Sequence, residues 1–299
     1  MTKRLLVLFL VIQNLGANGQ SIVVVDSLDK SPLSFVAINY ESGGLYTNEI
    51  GKFKLYDIKG NNLELSLLGY KTKSLSKASV KDTIFLKPNP TALDEVIVNN
   101  HLDKVTIYKK PKKTNFFGTT ILSARAGVCF ILIPDSVMVD SKVDDVTFYF
   151  IRERWMSKGR QDAMENIDAF VRLNIHDVEN ERPTKQIFAS EPIKINGLKK
   201  DEIVLDLRDH WITIPKEGIS FSIEMLGFYD TKYNEIVSND FYIRPMLTPD
   251  TYEHFKSSTY NKISFKSEEV LATVNTHLNS PEHAKYGPRN LAIGMSLRQ

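Results

Sequence analysis

Apolar and polar residues alternate with period two along much of the chain, the spacing of strands that bury one face. Leu63, Leu65 and Leu67 alternate with Glu64 and Ser66, and Val36, Ile38 and Tyr40 alternate with Ala37 and Asn39. Residues 22–25 form a short continuous apolar run, Phe53 and Leu55 are interleaved with lysines, and Ile84-Phe85-Leu86 predicts another strand. Gly69-Tyr70 opens one more. Residues 94–98 close the set, with Val96 and Val98 directed inward and Ile97 outward. Ser31-Pro32, Ser42-Gly43-Gly44 and Asn48-Glu49-Ile50-Gly51 supply the turns, Gly51 being free to take a positive φ. No stretch here has helical periodicity. Residues 20–98 are therefore predicted to form a small β-sandwich.

From Gly118 the strand pattern resumes at wider spacing, over 119–133, 146–151, 170–175, 203–207, 211–214 and 219–226. Pro134-Asp135, Glu181-Arg182-Pro183, Asn196-Gly197 and Pro215-Lys216-Glu217-Gly218 punctuate it. A second sandwich, jelly-roll-like, is expected over 118–299. Its C-terminal extension is less regular, with short helices expected at 251–258 and 267–274 and a closing strand at 291–297. Between the two lies 99–117, whose Lys109-Lys110-Pro111-Lys112-Lys113 reads as an extended, solvated linker. Its lysines would also suit peripheral contact with an anionic membrane surface. The fold class is all-β.

The N-terminus breaks this pattern. Lys3 and Arg4 precede the apolar run 5–12, and Ala17-Asn18-Gly19 offers small residues for cleavage, so residues 1–19 read as a signal peptide with the mature chain beginning at Gln20. Export to the periplasm or the outer membrane follows. No apolar stretch approaches the ~20 residues of a spanning helix, so no transmembrane segment is expected in the mature chain. Gln20 is not a cysteine, which argues against a lipid anchor there. The 299 residues carry 38 basic and 36 acidic side chains. Two of the basic ones belong to the leader, which leaves the rest near neutrality and without the basic stripe of a nucleic-acid binder. The single cysteine, Cys129, lies in the apolar run Val128-Cys129-Phe130-Ile131; it has no disulfide partner and reads as a buried, inert thiol.

Several landmarks of the first sandwich fall in a known order. Val25-Asp26, Pro32-Leu33 with Val36 and Ile38, Thr47 with Gly51 and Phe53, Leu67-Leu68-Gly69-Tyr70, Leu86 with Pro88, and Leu93-Asp94-Glu95-Val96-Ile97-Val98 together resemble the carboxypeptidase-regulatory-like domain. That resemblance implies a transthyretin-type Greek-key sandwich, an accessory module of secreted and outer-membrane proteins that often precedes the plug of TonB-dependent transporters. The sequence departs from the pattern at Ser21-Ile22, where a glycine often opens the first strand, and at Asn48-Glu49, where an aspartate is usual. The domain is a non-catalytic appendage in the peptidases that name it, so no peptidase activity is implied. A transporter barrel of about 22 strands needs more chain than follows it.

Several residue groups carry candidate chemistry. His176-Asp177-Val178-Glu179 spells His-x-x-Glu, a zinc-ligand pair in metallocarboxypeptidases for which His277 or His283 could supply a third ligand; a strand-end turn is the plainer reading. Asp206, Asp209 and His210 could form an acid–base group, but no Gly-x-Ser-x-Gly elbow, His-Glu-x-x-His or phosphate loop accompanies them. Ser27-Leu28-Asp29-Lys30 matches Ser-x-x-Lys without its companion motifs. Trp155 and Trp211 could stack on sugar rings, although the alternation around Trp211 favours a core position. No catalytic, cofactor-binding or metal site is assigned. The expectation is a non-enzymatic binding or assembly module of a Gram-negative envelope with a protein or glycan partner. A divergent metallopeptidase, a glycan hydrolase and a carbohydrate-binding module remain the alternatives.

Overall fold

A computed structural model describes residues 21–41, 43–89, 105–109, 121–123, 126–150, 162, 165–196, 202–232, 235–237, 241–248, 252–263, 272–273 and 289–299. These residues are built from strands, as the alternation predicts, and the chain divides into two compact units, Met1–Ala92 and Leu93–Gln299. The leader, the 94–98 strand, Lys110–Lys113 of the basic run, Trp155, His277 and His283 lie outside the described residues.

The first unit is a two-sheet sandwich of seven strands: β1 (Ser21–Asp26), β2 (Ala37–Tyr40), β3 (Gly43–Tyr46), β4 (Lys52–Lys54), β5 (Asn62–Ser66), β6 (Lys73–Ser76) and β7 (Thr83–Leu86). One sheet has the order β4-β1-β7, with β1 antiparallel to β4 and parallel to β7; the other has the order β3-β2-β5-β6 and is antiparallel throughout. Ile22 and Val24 of one sheet meet Ile38, Leu63 and Leu65 of the other in a single core. Gly43 and Gly44, read above as a turn, instead pair with Tyr40 and Asn39.

Three landmarks of the sequence hold this sandwich together. The buried Thr47 hydroxyl accepts from the Val36 N–H at 2.9 Å and donates to the Leu33 carbonyl at 3.0 Å. Gly51 sits at φ +71, where a Cβ would lie 2.7 Å from the Val24 carbonyl oxygen. The Tyr70 hydroxyl donates to Asp26 Oδ2 at 2.8 Å, while Asp26 Oδ1 accepts from the Leu28 N–H.

The second unit is also a sandwich. Its larger sheet contains β10 (Ala126–Pro134), β12 (Ile167–Glu179), β13 (Arg182–Ala189), β14 (Ile193–Ile195), β16 (Ile219–Asp230), β17 (Glu235–Val237), β20 (Phe255–Ile263) and β21 (Ala272–Thr273), with the central path β13-β12-β16-β10-β20-β21. The smaller is formed by β8 (Val105–Tyr108), β11 (Lys142–Tyr149), β15 (Glu202–Asp206) and β23 (Ile293–Arg298) in the order β15-β11-β23-β8. Two short pairs complete it: β9 (Leu122–Ser123) with β18 (Tyr242–Ile243), and β19 (Leu247–Thr248) with β22 (Asn290–Leu291). Phe130, Leu173, Phe221 and Ile223 of the larger sheet pack on Val146, Phe148, Ile203, Ile293 and Met295 of the smaller.

Four expectations need correction. Val105–Tyr108, assigned to the linker from its lysine- and proline-rich neighbours, is a strand paired with β23, and its Val-Thr-Ile-Tyr alternation accounts for this. Residues 255–258, expected in a helix, lie in β20, which pairs with β10 over nine residues. Arg182 and Pro183 are in a strand, the turn being Asn180-Glu181. Both of those residues have positive φ, as the tightest hairpins require. Finally, 211–214 is not a strand: it makes a single bridge, Thr213 to Lys142.

Candidate binding face

Alternation along the smaller sheet of the second unit separates a core face from an outer face. On β23, Ile293, Met295 and Leu297 are buried in the core, so Gly294, Ser296 and Arg298 fall on the other side. On β11, Val146 and Phe148 point inward, leaving Thr147 and Tyr149 on the outside; on β15, Ile203 and Leu205 flank an outward Val204 that is 57% exposed. The edge strand β8 adds the exposed Val105 and Ile107, the latter 58% exposed. Register places Ile107, Ser296, Asp145 and Asp206 in one row across all four strands.

At one end of this face is a shallow, solvent-open groove of about 200 Å³, lined by Ile107, Lys109, Asp145, Thr147, Tyr149 and Ser296 among others. Gly294 makes room for its wall, because a Cβ there would lie 2.7 Å from the Tyr149 hydroxyl and 3.1 Å from the Tyr108 carbonyl oxygen. Tyr149 packs with Met246 and Ala292. Burial, reinforced by the carboxylates of Glu202 and Asp145, raises its phenol above the ordinary tyrosine range, so it stays a neutral hydroxyl.

The other end is charged. A bulge between Val143 and Asp145 displaces Asp144, whose nearly buried carboxylate accepts from Arg298 Nη2 at 2.8 Å and Nε at 3.1 Å. Asp206 receives Arg208 through Nε at 2.9 Å and through Nη2, and these bonds hold its carboxyl well below the usual carboxylate range. Lys142 Nζ donates to the Arg208 carbonyl at 2.8 Å and lies 4.7 Å from the centroid of the Trp211 ring. The indole is 36% exposed, so Trp211 is not a core residue; Ile212 and Ile214 beside it are.

The residues singled out in the sequence meet different ends. His176 and Glu179 both lie on β12, His176 opposite Ser220 and Glu179 at the hairpin end. Three residues apart on a strand they point to opposite faces, so they do not converge on one ion. Among the described residues, no three His, Cys, Asp or Glu side chains are placed to hold a metal. Asp206 is engaged by Arg208, while the His210 ring packs edge-on against Phe188 at 4.8 Å. Lys30 donates to the Ser27 carbonyl across a surface turn, a local bond rather than a nucleophile–base pair. Cys129 is buried beside Ile131 and Val178, with Sγ 2.9 Å from Ser220 Oγ. The groove itself was not anticipated. Its one sequence signal is Gly294, a glycine within an otherwise well-patterned strand.

No family model matches the sequence, and no curated protein matches it. Among solved structures, a variant of the clostridial cysteine protease Cwp84 after propeptide cleavage is 11% identical with a TM-score of 0.36, covering 89% of this chain and 65% of that one. The infectious bursal disease virus Gx strain structure is 9% identical with a TM-score of 0.26, covering 93% of this chain and 63% of that one. Likeness at this level carries neither activity nor ligand across.

Proposed function

We propose that the chain is an exported, non-enzymatic binding module of a bacterial cell envelope, and that the outer face of the β15-β11-β23-β8 sheet receives its ligand. The first unit is then a carboxypeptidase-regulatory-like accessory domain, a reading supported by the structural roles of Asp26, Thr47, Gly51 and Tyr70. The observation that carries the assignment is the open groove over Thr147 and Ser296, flanked by the exposed Ile107 on one edge strand and Val204 on the other. An open sheet face with apolar margins and a polar floor suits an extended ligand better than an enclosed small molecule. Export follows from the apolar leader at 5–12 behind Lys3 and Arg4.

Calorimetric titration with soluble envelope polysaccharides and with extended envelope peptides tests the binding face. Ser296→Arg fills the groove floor from an outward-facing position and is expected to abolish binding while the thermal transition stays in place. Binding that persists in Ser296→Arg, or turnover of either ligand by the wild-type protein, would refute the assignment.

A further inference from the structure

Three turns of the first unit gather at one end of its sandwich. β1 and β7 run parallel and finish together, Asp26 beside Leu86. β4 starts beside the same half of β1, with the Val24 N–H donating to the Gly51 carbonyl at 2.8 Å. β5 finishes opposite the start of β2, Ser66 facing Ala37, and the turn that follows is joined to β1 by the Tyr70–Asp26 hydrogen bond. The turns 27–30, 48–51 and 67–70 therefore share this end, and each carries one aliphatic side chain into solvent. Leu28 is 75% exposed, Ile50 55% and Leu68 54%.

These turns are held by side chains. Asp26 Oδ1 accepts from the N–H of Leu28 at 2.6 Å, and Asn48 Oδ1 accepts from the N–H of Ile50 at 3.1 Å and of Lys52 at 2.7 Å. In two of the three turns, the residue whose N–H is captured is thus the one that presents the aliphatic tip. These bonds fix the backbone that carries the Leu28 and Ile50 tips. Lys30, Lys52, Lys71 and Lys87 are exposed in the same turns and strand ends. Facing them are two exposed carboxylates: Asp29, already engaged with the Ser31 N–H and hydroxyl, and Glu49.

We propose that this end of the first unit docks on an anionic lipid bilayer. Leu28, Ile50 and Leu68 enter the boundary between headgroups and acyl chains, and the lysines meet lipid phosphates. Three separate exposed tips fit a deformable planar surface; a protein partner would need three pockets in matching positions. Shallow aliphatic insertion combined with basic contacts is the arrangement by which peripheral proteins bind membranes reversibly.

The test is co-sedimentation of the chain from Gln20 to Gln299 with vesicles of phosphatidylcholine, alone or containing phosphatidylglycerol. Binding is expected to the anionic vesicles and to weaken as salt rises. The triple variant Leu28→Ser/Ile50→Ser/Leu68→Ser is expected to lose about a hundredfold in partitioning, and Lys71→Gln/Lys87→Gln about thirtyfold. Tyr56→Ser, at the opposite end, should match wild type, and all three should keep the wild-type thermal transition because every altered side chain is exposed. Absence of vesicle binding by the wild type, or binding undiminished in the triple variant, would overturn the proposal. So would a vesicle-independent dimer abolished by the triple variant, which would make the tips a contact between copies.

Discussion

Gly51 is where the first sandwich is least tolerant of a side chain, and the size of that intolerance can be worked out. Its φ of +71 is left-handed, which costs a non-glycine residue about 1–2 kcal/mol. An alanine Cβ would in addition lie 2.7 Å from the Val24 carbonyl oxygen and 3.0 Å from both the Leu33 nitrogen and its carbonyl oxygen, all of them backbone. Relief requires moving the turn away from β1. That weakens the bonds from the Leu33 N–H to the Val24 carbonyl and from the Val24 N–H to the Gly51 carbonyl, at about 0.5–1.5 kcal/mol each. Gly51→Ala should therefore cost about 3 kcal/mol, lowering the melting temperature of the first unit by roughly 12–24 °C. Gly69 provides the control, since its φ is +82 yet nothing lies within 4 Å of the position a Cβ would take. Gly69→Ala should show the conformational cost alone, about 1 kcal/mol. Differential scanning calorimetry of the two variants separates backbone conformation from contact. Equal destabilisation, within about 0.5 kcal/mol, would refute the claim that close packing of the turn against β1 sets the requirement for glycine.

Two further outcomes are expected. The Tyr70 hydroxyl is pushed up to about 12 from its ordinary 10.0, by burial first and by its bond to Asp26 second. Its contribution is thus complete below pH 10 and is lost as pH rises towards 12; Tyr70→Phe should remove that alkaline loss, measured as unfolding of the first unit against pH, at a cost of about 1–2 kcal/mol near neutrality. In the second unit, Arg298→Ala strands the nearly buried Asp144 carboxylate and should cost about 2–3 kcal/mol, less than a fully buried pair because Arg298 is partly exposed. Adding Asp144→Ala should recover much of the loss, and a double-mutant cycle by urea unfolding that returned no coupling would contradict the pairing.

Much of the fold was legible because strands declare themselves by alternation or by short apolar runs between turn residues: β1, β5, β7, β15 and β23 all fall where the pattern put them. The misses have physical causes. β8 and β13 lie at sheet edges, where residues are half-exposed and lysine, proline and arginine are tolerated, so their composition imitates a linker or a turn. β20 pairs with a central strand, yet its Lys-Ser-Ser-Thr-Tyr-Asn run offers little apolar signal. The outer face of the smaller sheet was harder still. Its row of Ile107, Ser296, Asp145 and Asp206 comes from four strands far apart in the chain, and only strand register brings them together. Trp211 was misplaced because the alternation around it belongs to a loop, where Ile212 and Ile214 reach the core without strand geometry.

Both units join an early strand to a late one. β1 lies between β4 and β7 and pairs over Val23–Asp26 with β7, the last described strand of its unit, and β8 is hydrogen-bonded to β23, Ile107 opposite Ser296. Neither sheet is complete until its later strand, β7 or β23, has been made. Pairings so distant in sequence make folding slow, because loop closure must precede the contacts that reward it. For an exported chain of the kind proposed above, which would cross a membrane unfolded, that delay is useful. The topology delays completion of the β4-β1-β7 and β15-β11-β23-β8 sheets until their later strands are available.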